Sequence, residues 1–224
     1  MFSFWHLYYI IKKYFNNIKM YDYKIRLVLL GNVCVGKTSF ANKLCNYRYS
    51  HLYESTVGVD YFAKTIRLNN NMMKYQIWDT TGQKKFAPIL QSYYKNVAGF
   101  IFVFDLNNVK SFKDLNFWLN ELYEINPENN LYCKLLIGNK TKNNNTVSHT
   151  DIDKFCVKYN FLYTEIDIKN DKHIENYLIP FFNIIDINKE KYEGIHTFKN
   201  SKLEDKSYDD DNNYERTTCC CWSF

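Results

Sequence analysis

Glycine is scarce in this chain, seven in 224 residues. Five of the seven (Gly31, Gly36, Gly58, Gly82 and Gly138) fall at or beside turns, where the backbone must reverse or approach a ligand closely. No apolar run is long enough to cross ~30 Å of hydrocarbon as a helix. The nearest candidate, Phe2–Ile11, stops at Lys12 and Lys13, and it lacks the basic n-region and small-residue cleavage site of a signal peptide. It reads either as an interfacial membrane anchor or as a dispensable extension (1–20) ahead of a domain that starts at Tyr21-Asp22-Tyr23. The net charge is +5, yet no compact Lys/Arg cluster exists, so no nucleic-acid partner is expected. A disulfide framework is also absent. Cys34, Cys45, Cys133 and Cys156 are scattered through apparent core elements, and Cys219, Cys220 and Cys221 stand together at the end, which suits a reducing, cytosolic setting.

What is present starts at Arg26-Leu27-Val28-Leu29-Leu30, a short branched apolar run that reads as a buried strand. It breaks into Gly31-Asn32-Val33-Cys34-Val35-Gly36-Lys37-Thr38, the pattern G-x-x-x-x-G-K-[ST]. That spacing lets successive backbone N–H groups point inward around a phosphate chain, which side chains at the glycines would obstruct. Lys37 supplies a charge for the β- and γ-phosphates, Thr38 a hydroxyl for Mg²⁺, and the helix entered through Ser39 its positive N-terminal end. The combination points to a nucleotide site.

Along the chain the pattern predicts a strand (24–30), a helix (37–45), a polar Tyr-rich loop (47–56) and a hairpin with strands at 63–68 and 74–78. An Asn-Asn-Asn turn at 69–71 joins the hairpin strands. A wholly apolar strand follows at 99–104. Next comes a helix over 109–126 with Phe112, Leu115, Trp118, Leu119 and Leu122 on one face. Strands at 134–137 and 161–166 alternate with helices at about 150–159 and 174–187, the last with Pro180 as an interior blemish. This alternation predicts an α/β domain over 21–188, a three-layer, mostly parallel six-stranded sheet with helices on both faces. Its site lies at the carboxyl ends of the strands. Residues 189–218 carry six Lys or Arg against eight Asp or Glu, a net of −2, and read as a solvated flexible tail before a distinct 219–224 end.

Asp79 is the second carrier of chemistry. It ends an apolar strand and precedes Gly82 by three positions, as needed to hold Mg²⁺ and to sense a γ-phosphate through a backbone N–H. Thr56 offers that ion a second hydroxyl once a γ-phosphate draws its loop inward, and Gln83 is placed to orient an attacking water.

Gly31–Thr38, Ser55-Thr56-Val57-Gly58-Val59-Asp60-Tyr61, Trp78-Asp79-Thr80-Thr81-Gly82-Gln83 and Asn139-Lys140 resemble the nucleotide boxes of Ras-type small GTPases. The Thr-Val-Gly-Val-Asp-Tyr wording, the Trp before Asp79, Ser92-Tyr93-Tyr94 and the Cys-rich end are similar to the Rab subfamily. Lys64-Thr65-Ile66, Trp118–Leu122 and a C-a-a-X-like end are closest to its endoplasmic reticulum and lipid droplet branch. The resemblance implies a P-loop small GTPase fold that binds GTP or GDP with Mg²⁺. Its expected partners are effectors, an exchange factor and a GTPase-activating protein. By the same resemblance Tyr49 stacks on guanine beside Asn139, Lys140, Ile168 and Lys169, and Tyr53 closes over the γ-phosphate. Tyr61, Trp78 and Tyr93 match an effector-facing aromatic triad. Cys221-Trp222-Ser223-Phe224 fits C-a-a-X with geranylgeranylation, which implies Rab escort protein and geranylgeranyl transferase as partners. One lipid with an acidic tail holds membrane only marginally, so two lipidated cysteines among Cys219, Cys220 and Cys221 are expected. The cytoplasmic face of endomembranes follows as the location.

Four departures from the family pattern stand out. The fourth position of the Asn-Lys-x-Asp box is Lys142, an ammonium with donors only, where guanine N1–H and its amino group need acceptors. Guanine selectivity should fall at least about tenfold. Thr81 replaces the alanine before Gly82, a change that could slow hydrolysis. Lys84 replaces the acid after Gln83. Asp167-Ile168-Lys169 replaces Ser-Ala-Lys, which puts a carboxylate near the base as a conceivable substitute for the missing acid. These changes leave open a prenylated pseudo-GTPase scaffold. An unrelated P-loop kinase would need an Arg-rich lid that the chain does not supply.

Overall fold

The computed structural model describes residues 21–45, 56, 58–125, 127, 132–141 and 145–197. Strand β1 (Tyr23–Leu30) runs into the phosphate-loop motif and helix α1 (Lys37–Leu44). The hairpin β2 (Val59–Leu68) and β3 (Asn71–Thr80) turns at Asn69–Asn70, where Asn69 takes a left-handed φ of 53°. A 3₁₀ turn (Lys84–Phe86), α2 (Ala87–Leu90) and a second 3₁₀ turn (Gln91–Tyr93) lead to β4 (Gly99–Asp105). After these come α3 (Val109–Lys113), α4 (Leu115–Ile125), β5 (Cys133–Asn139), α5 (His149–Tyr159) and β6 (Leu162–Ile166). A 3₁₀ stretch (Ile174–Leu178), α6 (Ile179–Ile187) and a short β7 (Ile195–Thr197) complete the elements.

The sheet order is β2-β3-β1-β4-β5-β6, parallel throughout except for the β2–β3 hairpin. Alternation along the central strands sends Leu27, Leu29, Ile101 and Val103 to one face, where Phe40 of α1 and Phe181 and Phe182 of α6 cover them. Val28, Leu30, Phe100, Phe102 and Phe104 point to the other face, under Leu90 of α2, Leu115, Trp118 and Leu122 of α4, and Ile152 and Phe155 of α5. Each fully buried large side chain contributes about 1.5–3 kcal/mol of transfer free energy, so the strands whose ends bear the site are anchored by both core clusters.

Three expectations need correction. The helix foreseen over 174–187 is a 3₁₀ stretch followed by an α-helix that starts at Ile179. Pro180 therefore sits in a first turn, where its missing N–H leaves no bond unmade. The helix over 109–126 is interrupted at Asp114, and Asn108 caps its start by accepting from Lys110 N and Ser111 N at 3.1 and 3.2 Å. Gly138 lies inside β5 rather than in a loop; a Cβ there would meet Tyr163 Oη at 2.8 Å.

A seventh strand also extends the six foreseen, with ordered structure reaching into the segment read as tail. β7 pairs antiparallel with Tyr23–Ile25 of β1, the stretch of that strand ahead of its pairing with β4, which begins at Leu27. Gly194, at φ +73°, makes this return possible. A Cβ there would come within 2.2 Å of Asn96 O, and its own carbonyl accepts from Arg26 N at 3.2 Å. Ile195 and Tyr192 pack against the core. Polar composition around these two side chains hid the element from any periodicity argument.

Candidate functional site

The carboxyl ends of β1, β3, β5 and β6 bring four segments together: the phosphate loop, Asp79–Gln83, Asn139-Lys140 and Asp167–Lys169. The loop geometry explains its glycines. Gly31 at φ 137° would put a Cβ 2.2 Å from Val103 O, and Gly36 at φ 103° would put one 2.7 Å from Asn139 Nδ2. Between them Asn32, Val33, Cys34 and Val35 form the turn, with Cys34 in the left-handed region at φ 61°. Val33 and Cys34 are exposed, while Val35 is buried and its carbonyl accepts from Asn139 Nδ2 at 3.0 Å.

Lys37 is buried, and its ammonium donates to Gly31 O at 3.0 Å and Asn32 O at 2.7 Å. Burial pushes it down to about 8, against the pull of Asp79. Asp79 is fully buried at the end of β3. Burial pushes its carboxyl up to about 6, against the Thr38 hydrogen bond and the Lys37 charge. Thr38 Oγ1 donates to Asp79 Oδ2 and stands 3.0 Å from Thr56 Oγ1. Asp79 Oδ1 is buried without a hydrogen-bond partner among the described residues. Two hydroxyls and one carboxylate with an orphaned oxygen make an all-oxygen donor set, which fits a hard ion such as Mg²⁺ that keeps waters of its own. No group of three His, Cys, Asp or Glu side chains suited to a metal occurs among the described residues.

Gly82 passes directly against the phosphate loop; a Cβ on it would stand 2.2 Å from both Asn32 C and Val33 N. Gln83, half-buried, follows at the start of the 3₁₀ turn. Thr81 is buried, its N–H donating to Gly58 O at 2.9 Å, and Thr80 Oγ1 donates to Leu29 O at 2.6 Å. The segment between β3 and α2 is thus pinned to both the phosphate loop and the approach to β2.

In the region assigned to the base, Asn139 links Val35 O to Ile168 N, the latter donating at 3.4 Å. Lys43 Nζ donates to Ile168 O at 2.7 Å and Lys169 O at 3.1 Å. Lys140 pairs with Glu165 at 3.1 Å. The Asp167 carboxylate, read as a substitute for the missing acid, is engaged within its own turn. Its Oδ1 accepts from Lys169 N and Asn170 N, and its Oδ2 from Asn170 Nδ2 at 2.7 Å, so the carboxylate closes its own loop. Tyr49, Tyr53, Lys142 and the cysteines at 219–221 lie outside the described residues. Tyr61, Trp78 and Tyr93 come together as one aromatic row, with ring centres 5.2 and 5.5 Å apart. Arg26 lies 4.6 Å over the Trp78 ring.

One group of residues escaped sequence reasoning. Asn32 Nδ2 donates to Asp114 Oδ2 at 2.7 Å, Trp118 Nε1 donates to Asn32 Oδ1 at 3.0 Å, and Lys84 Nζ donates to Asp114 Oδ1 at 2.7 Å. Asp114 is held below the ordinary carboxylate range: burial pushes it up, and the bonds from Lys84 and Asn32 outweigh that. Trp118 was legible as a core residue and as part of the Trp118–Leu122 resemblance, and Asp114, one of three acids in the helical pattern over 109–126, carried no signal.

Strand, glycine loop and helix around a buried lysine, set against a strand-end carboxylate with two hydroxyls, define a P-loop nucleotide-binding protein. A family model described as Ras family matches residues 26–186, and the chain belongs to that family. Over 161 residues it is 35% identical to Ras-related protein Rab-1 of Theileria parva, a match covering 70% of this chain and 72% of the relative. Over 154 residues it is 36% identical to Ras-related protein Rab-5B of Plasmodium falciparum, covering 68% of this chain and 73% of that protein.

Proposed function

We propose that this chain is a Rab-like GTP-binding switch of intracellular membrane traffic, which hydrolyses GTP slowly and recruits effectors while GTP is bound. The observation that carries this reading is the convergence of Thr38, Thr56 and the orphaned oxygen of Asp79 beside the buried Lys37. Mg²⁺ held there would offset the charge of the β- and γ-phosphates. The loop N–H groups of residues 32–38 cradle those phosphates, and Lys37 turns its ammonium from the loop carbonyls toward them. Thr56 ties the loop before β2 to the site, and Gln83 orients water in line with the γ-phosphate. Tyr61, Trp78 and Tyr93 form the surface that effectors read. An exchange factor and a GTPase-activating protein set the two nucleotide states. Geranylgeranyl transferase, with Rab escort protein, modifies two of Cys219, Cys220 and Cys221 and so places the switch on the cytoplasmic face of endomembranes.

Single-turnover hydrolysis tests the enzymatic half. The full chain loaded with GTP and Mg²⁺ should release phosphate, and Gln83→Ala should slow release about tenfold or more. Phosphate release that is undetectable, or equal in the Gln83→Ala variant, would overturn the reading.

A further inference from the structure

Two contacts bracket Gln83. On one side Gly82 rests on the Asn32–Val33 peptide, with no room for a Cβ. On the other, Lys84 Nζ donates to Asp114 Oδ1 at 2.7 Å, and the same ammonium stands 4.8 Å from the centre of the Phe117 ring. Asp114 also accepts from Asn32 Nδ2 with its second oxygen, and Asn32 receives the Trp118 indole N–H. A continuous hydrogen-bonded path therefore runs from the residue after Gln83, through the junction of α3 and α4, back to the phosphate loop. There the Asn32 carbonyl takes the Lys37 ammonium. Gln83 is the one residue between two fixed neighbours.

We infer that Lys84 is a positioning residue for Gln83, latching the segment that carries it to the phosphate loop through Asp114 and Asn32. The inference rests on the reading of Gln83 given above. Side-chain exposure of 42% for Lys84 and 18% for Asp114 means the ion pair is screened on its lysine side. The Asn32–Asp114 bond is charge-assisted and adds strength. Removal should therefore cost the hydrolysis step about three- to tenfold rather than abolish it.

The test uses the full chain loaded with GTP and Mg²⁺, comparing wild type with Lys84→Met, Asp114→Asn, the double variant and Lys84→Arg. Each single variant should lower the single-turnover rate about three- to tenfold while the affinity for GTP stays within about twofold. The double should match the singles, and Lys84→Arg should restore most of the rate. An unchanged rate in Lys84→Met, or a double variant whose losses multiply, overturns the latch. A second reading does not depend on catalysis. The ¹⁵N-indole resonance of Trp118, assigned by its loss in Trp118→Phe, should move in both Lys84→Met and Asp114→Asn. Should wild type show no Gln83-dependent hydrolysis, the enzymatic reading fails and this resonance alone decides. A shift in both variants keeps the latch, and no shift in Lys84→Met removes it.

Discussion

Asp79 and Lys37 are buried opposite charges, and burial pushes each toward its neutral form, to about 6 and about 8. The pH dependence of the nucleotide-free protein in chelator follows. Asp79 is protonated in the fold up to about 6 but in the unfolded chain only up to 3.8, so its burial penalty is absent at low pH and grows as pH rises between those values. Lys37 runs the other way: its penalty is present below about 8 and is relieved as pH rises toward 10.5. Near neutrality both penalties are in force. The Asp79 share, about 2 pKa units, amounts to ~3 kcal/mol at most. Asp79→Asn should therefore raise the Tm of the nucleotide-free protein at pH 7 by several degrees, at ~2–4 °C per kcal/mol, and leave it nearly unchanged at pH 4. Thermal unfolding at the two pH values checks this; a variant less stable than wild type at pH 7 would mean the carboxylate is net favourable where it stands. A site built this way favours ligands that bring the missing charges, phosphate to the lysine and a cation to the carboxylate.

At the scale of the element, the phosphate loop and Asp79 were legible because each is a short motif with its chemistry in fixed spacing. The network through Asp114 was not, because its members stand 82 and 30 residues apart and meet only once the sheet has formed. Asp167 shows the converse. Proximity to the base region was readable, but its capture by Lys169 N and Asn170 N depended on the local turn. β7 was missed for a third reason: three residues give no period, and its stability comes from an open stretch of β1 and from Gly194. The part it plays can be measured by truncation. A chain ending at Thr197 should keep the Tm of the full protein within about 2 °C. One ending at Asn188 should lose about 5 °C or more, since it gives up the β1 pairing and the packing of Tyr192 and Ile195, ~2 kcal/mol together. Equal Tm values for the two truncations would show that β7 contributes nothing.

The whole molecule gathers its function at one end of the sheet. Two packed faces cover β1, β3 and β4, the phosphate loop and the Asp79–Gln83 segment stand at the carboxyl ends of β1 and β3, and the aromatic row lies beside them on β2, β3 and the 3₁₀ turn ahead of β4. Fold class and the phosphate half of the site were readable from alternation and motif, while the strand order around β1 came only with the structure. The base half was readable only as a conflict, Lys142 where an acceptor belongs, with the Asp167 carboxylate nearby accepting bonds within its own turn. The central claim, a switch that holds a guanine nucleotide with Mg²⁺, is tested most directly by purifying the full chain in Mg²⁺, denaturing it and identifying the released nucleotide by chromatography. The account predicts GDP or GTP at close to one per chain. An empty site, or adenine and guanine nucleotides in proportion to their supply, would contradict it.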